Sequence, residues 1–151
     1  MTTRAMPQLP VIGAISTLSA VTLAASAVLV GPIRNQAEQA LHDEQVRTLP
    51  YVIVVALIVA ALSFLLIVPW AARGSAVRAT TIGLMYGVLS MLTFVAFWSG
   101  LPAILGGSAI ALGLAAHEHK RWLALAVIIL GAVGVVLNIV VMVGDKLRVL
   151  P

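Results

Sequence analysis

Four charge-free runs, Ala5–Ile33, Thr48–Ala72, Ala79–His117 and Trp122–Gly144, take up most of this chain and decide what it can fold into. About 20 apolar residues in a helix rising 1.5 Å each span a hydrocarbon layer roughly 30 Å thick. Three of the runs suit one such crossing apiece, whereas Ala79–His117 is too long for one and must be divided. The chain is 62% hydrophobic and 9% charged, against roughly a quarter charged in soluble domains. No polar stretch is long enough to build a water-soluble core. The expectation is an all-α, polytopic integral membrane bundle with five transmembrane helices, folded as a single membrane domain over residues 1–151.

The predicted helices run over about 9–30, 51–70, 80–98, 101–116 and 121–144, with an external polar segment over 33–50. Gly31-Pro32 closes the first helix. Ala25-Ser26-Ala27 has the form of a signal-peptidase site, and cleavage there would leave four crossings. The single basic residue ahead of the first helix, Arg4, and the apolar continuation Val28-Leu29-Val30 favour an uncleaved anchor. Between Ile33 and Pro50 the spacing of Asp43 and Arg47 predicts a short surface helix. The second segment is dense in Val, Ile and Leu and lacks glycine, as a lipid-facing helix would. Trp98-Ser99-Gly100-Leu101-Pro102 supplies the turn that divides the longest run. The fourth segment is only about 24 Å long; it is read as a full crossing, with a re-entrant segment as the alternative. All seven prolines are expected at or beyond helix ends, so no helix should contain a proline hinge.

Sidedness follows from basic residues near the helix ends. Arg4, Arg73, Arg78, Lys120 and Arg121 fall on one side, and Arg34, Arg47, Lys146 and Arg148 on the other. This places the protein in the plasma membrane with its N-terminus in the cytoplasm. Tyr51, Trp70, Trp98 and Trp122 mark the predicted boundaries as an aromatic belt. The formal net charge of +4 comes from residues at helix ends, where they meet lipid headgroups, and not from a nucleic-acid surface. With no cysteine in the chain, disulfides, thiolate metal sites and thiol nucleophiles are excluded.

Close packing is written in small residues. Gly83, Gly87 and Ser90 form one strip, Gly107 with Ala103, Ala111 and Ala115 a second, and Gly131, Gly134 and Asn138 a third. These strips predict close contact among the last three helices, or an interface with a second copy or another membrane protein. Tyr86, Ser90, Thr93 and Asn138 could line a small polar cavity. His117-Glu118-His119 resembles a metal ligand set but lacks companions on its side of the bilayer. In Gly106-Gly107-Ser108-Ala109 the serine has no histidine inside a helix to act as base. No catalytic, cofactor or metal site is expected.

From Leu101 to Val141 a short glycine-rich helix, the polar turn His117-Glu118-His119-Lys120-Arg121 and the sequence Ile129-Leu130-Gly131-Ala132-Val133-Gly134 follow one another. In this quarter of its length the chain resembles small uncharacterised multi-pass membrane proteins of high-GC Gram-positive bacteria. The resemblance implies a bacterial plasma membrane and no activity. The expected function is non-enzymatic: an assembly, stabilising or regulatory partner of another envelope component. The alternative is a passive or lipid-related carrier, or an accessory transporter subunit.

Overall fold

The structure is a computed structural model that describes residues 9–29, 36–93, 99–117 and 121–147. Its elements are α1 (Leu9–Leu29), α2 (Gln36–Ala61), a π-helical turn (Leu62–Ile67), α3 (Val68–Ala72), α4 (Ala76–Leu92), α5 (Leu101–Ala116) and α6 (Arg121–Leu147), with no strand among the described residues. Because α2, the π turn and α3 follow without a break, the elements amount to five helical rods. The expected closure of the first helix at Gly31-Pro32 lies outside the described residues.

The long rod departs from the expectation twice. A separate surface helix ending at Pro50 was predicted; instead α2 runs through, with Pro50 inside it. Proline removes one N–H and crowds the carbonyl one turn earlier. Here residues 43–48 and Pro50 itself are exposed, so the freed carbonyl stays open to the surroundings. Pro69 also lies inside the rod, in the first turn of α3. Just before it the helix widens: the Val68 N–H donates to Ser63 O, five residues back. A π turn of this kind accommodates one extra residue and makes room for the proline ring that follows. The three parts hold 26, 6 and 5 residues, which makes the rod about 55 Å long.

The other termini follow local chemistry. Ser75, in extended conformation, caps α4 by accepting the Arg78 N–H at 3.2 Å, so α4 begins before the predicted Thr80. It is described as far as Leu92, and the predicted end at Trp98 lies outside the described residues. Gly100 adopts φ 70°, a left-handed conformation suited to glycine. Its carbonyl accepts from Ala103 N at 3.2 Å and Ile104 N at 3.4 Å to start α5, and Pro102 stands in the first turn. The bounds of α5 coincide with those expected.

Helix α5 touches every other rod, and the interior is built round it. One buried cluster joins Val68, Ala71, Ala79, Leu112, Ala116 and Val127, and a second joins Ala20, Ala56, Ala60, Ala103 and Ile104. Successive rods alternate in direction. Ser16 of α1 lies by Gly107 and Ala20 by Gly100, whereas Gly83 and Gly87 of α4 meet Val127 and Leu130 of α6 in the same order. Arg73, Arg78, His117 and Arg121 therefore share one end of the bundle.

Side-chain size is inverted between interior and surface. Alanine, glycine and serine dominate the buried positions, while Leu62, Leu65, Leu66, Ile129, Val136 and Val140 are exposed. Two helical stretches, His42–Ala72 and Arg121–Val141, are long and apolar enough to cross a membrane; Pro10–Ala25, Ala76–Leu92 and Leu101–Ala116 are shorter apolar helices.

Candidate functional site: a closed small-residue interior

The glycines of the last three helices, Gly144 excepted, lie where neighbouring elements come closest. A Cβ at Gly83 would stand 2.6 Å from Val127 Cγ1, and one at Gly87 2.8 Å from Leu130 Cδ2. Gly106 and Gly131 oppose each other so closely that a Cβ on either would meet the other's carbonyl oxygen, at 2.7 and 2.6 Å. Gly113 packs against Ile128 and the Ala124 carbonyl. Gly107 does not belong to this contact. Its open side faces Ser16 of α1 and Phe64 of the π turn, so the strip of Ala103, Gly107 and Ala111 serves the first two rods as well as the last three. Adjacent glycines point about 100° apart on a helix, which is why Gly106 and Gly107 serve different neighbours.

Ser90 stands at the centre of this packing. Fully buried, it donates from Oγ to the Pro102 carbonyl at 2.8 Å, and it occupies the space left open by Gly134. A buried hydroxyl without a partner costs roughly 1–3 kcal/mol, so this bond fixes the register of α4 against α5. Tyr86, one turn earlier, donates to Ser63 Oγ at 3.1 Å. That bond reaches the π turn, whose extra residue presents the serine to α4. Ser63 is the single hydroxyl in a run of Val, Ile, Leu and Phe, and this isolation was the available signal for it.

Thr93 donates to Leu89 O at 2.8 Å and Ser90 O at 3.3 Å, both on its own helix, the usual arrangement for a hydroxyl in an apolar helix. Asn138 is fully buried, one turn beyond Gly134 on the same side of α6. Of the four candidate cavity residues, the three hydroxyls thus reach three different partners: the π turn, the start of α5 and the backbone of α4. Thr17 and Ser108 likewise donate to carbonyls one turn back, at 2.7 and 2.9 Å.

The described residues contain no group of three His, Cys, Asp or Glu side chains able to hold a metal. His117 is exposed, while Glu118 and His119 of the expected ligand set lie outside the described residues. A groove of about 610 Å³ opens at the arginine end of the bundle, lined by Leu65, Leu66, Pro69, Trp70 and Arg73 from the long rod and its end and by Arg78 from α4.

The geometry defines an all-α bundle closed by small residues. No protein-family model, curated protein or solved structure matches the chain.

Proposed function

We propose that this protein is a multi-pass integral membrane protein of the plasma membrane, crossing it five times with its N-terminus in the cytoplasm. In this reading it serves, without chemistry of its own, as an assembly, stabilising or regulatory partner of another envelope component. The inversion of side-chain size carries the membrane part. In water, an outer surface of large aliphatic side chains is an association liability. In lipid it carries no penalty, and the close approach of small residues is what holds helices together.

The partner role is supported by where polar groups are spent. Ser90, Thr93 and Ser108 donate to backbone carbonyls and Tyr86 to Ser63. The first turns of the long rod carry exposed Asp43, Glu44 and Arg47 beyond the apolar part. Contact with other molecules therefore falls to the outer faces of the long rod and α6 and to this polar arm.

The test is fractionation followed by gentle-detergent purification from native membranes, with sizing and mass spectrometry of what accompanies the chain. Retention in membranes at alkaline pH and a stoichiometric second protein are expected. Release into the soluble fraction refutes the membrane reading. A lone chain carrying a small molecule replaces the partner role with the carrier role.

A further inference from the structure

We propose that the groove between the end of the long rod and the start of α4 binds one anionic phospholipid, an inference that rests on the membrane reading above. The groove is two-faced. Leu65 and Leu66 form its apolar wall and are 73% and 60% exposed, an open hydrocarbon surface beside which an acyl chain fits. Along the helix the wall gives way within about 8 Å to Trp70 and within about 12 Å to Arg73, and Arg78 reaches in from α4.

The arginine end offers the donors that a phosphate needs. The Arg78 guanidinium carbon lies 4.7 Å from the centre of the Trp70 ring. A guanidinium held over an aromatic face is positioned without using up its N–H donors, and its fork of donors matches two phosphate oxygens. The side chain reaches this position by lying across Gly74, where a Cβ would come within 2.8 Å of Arg78 Nη1 and 2.9 Å of Cδ. Ser75 Oγ holds the Arg78 N–H at 3.2 Å, tying the arginine's backbone to the same turn. Arg73 closes α3, its N–H on the Pro69 carbonyl at 3.1 Å. Among the described residues two cations line the groove and no carboxylate does, so its charge complements a phosphodiester. The apolar wall adjoining the cations selects a phosphate that carries hydrocarbon. Arg73, Gly74 and Ser75 also precede the first turn of α4, whose dipole adds positive potential at that end.

The test uses the full chain with Trp98→Phe and Trp122→Phe, so that Trp70 alone fluoresces, in phosphatidylcholine vesicles. Flotation is read first. Then phosphatidylglycerol brominated on its acyl chains is compared with brominated phosphatidylcholine at equal mole fraction. Stronger quenching by the anionic lipid is expected. Arg73→Gln with Arg78→Gln should lower that preference roughly thirtyfold, at about fivefold per arginine near an anionic surface. Native mass spectrometry of the unsubstituted chain titrated with the two unbrominated lipids reads the same preference without any variant. A chain that does not float overturns the membrane reading and the site with it. A chain that floats but binds both lipids equally, or keeps its preference in the double variant, overturns the site alone.

Discussion

Replacing Gly131 by alanine tests whether α5 and α6 meet backbone to backbone. The added Cβ would lie 2.6 Å from Gly106 O, 3.0 Å from Ala109 Cβ and 3.2 Å from Ile110 Cγ1. A helical carbonyl cannot swing aside as a long side chain does, so the two helices must part by about 0.9 Å to restore an ordinary contact of roughly 3.5 Å. A gap of that size forfeits a quarter to a half of the dispersion energy of the atom pairs it separates, and overpacking of this kind costs about 1–3 kcal/mol. Alanine returns about 0.8–1 kcal/mol through its better helix propensity. Because α5 touches all the other rods, the displacement cannot be absorbed on its far side, and the net loss should be about 1–2 kcal/mol. Gly144→Ala is the matched control: it lies in the same helix with nothing within 4 Å of its Cβ position, so it should gain up to about 1 kcal/mol. Helix content followed through a denaturing-detergent titration in mild micelles gives both values. The double variant Gly106→Ala with Gly131→Ala should lose less than the sum of the singles, since one separation relieves both clashes. If Gly131→Ala matched Gly144→Ala in stability, the backbone contact would not exist.

Three further substitutions probe other joints, each read in the same titration. Gly100→Ala should destabilise by about 2–4 kcal/mol: the residue has φ 70°, which costs an alanine about 1–2 kcal/mol, and its Cβ would stand 2.5 Å from Ala20 O; an unchanged midpoint would dismiss the tight turn. Ser90→Ala removes the 2.8 Å bond to Pro102 O and should lose about 0.6–1.7 kcal/mol, whereas no loss would show that this bond does not set the α4–α5 register. Pro50→Ala should gain up to about 3 kcal/mol of helix stability and slow amide exchange across residues 46–50; faster exchange there would contradict a continuous α2.

Much of the bundle was legible because apolar length and turn chemistry act locally. Gly100-Leu101-Pro102 carries both a left-handed stop and a first-turn proline, so α5 was bounded correctly. Ser75 was available as a cap, but Arg78 drew the predicted start of α4 past it. A charged residue reads as lying outside an apolar helix until its side chain is seen lying along neighbours, here across Gly74 with the guanidinium over Trp70. Pro50 and Pro69 were read as terminators, since proline usually breaks a helix. What offsets the break is an exposed backbone at one site and a π turn at the other, and neither is a property of the proline itself. For the site, spacing by fours identified strips that pack but not their neighbours, which is why Gly107 was assigned to the last three helices while its open side faces α1. The bond from Tyr86 to Ser63 spans 23 residues, and no local pattern encodes such a pairing.

The uninterrupted rod from Gln36 to Ala72 has a mechanical meaning. A polar segment joined to an apolar helix through a loop would sweep a volume and pay ordering entropy whenever it met something. Here one helix continues through both, short of a single backbone hydrogen bond at Pro50, so the polar residues project at a set distance and angle, as marks on a ruler do. Whatever meets this arm meets it already oriented, and the entropy of aligning a flexible tether, about 1–2 kcal/mol for each backbone residue ordered, drops out of the encounter. Such an arm acts as a spacer: it fixes how far from the bundle a neighbour sits.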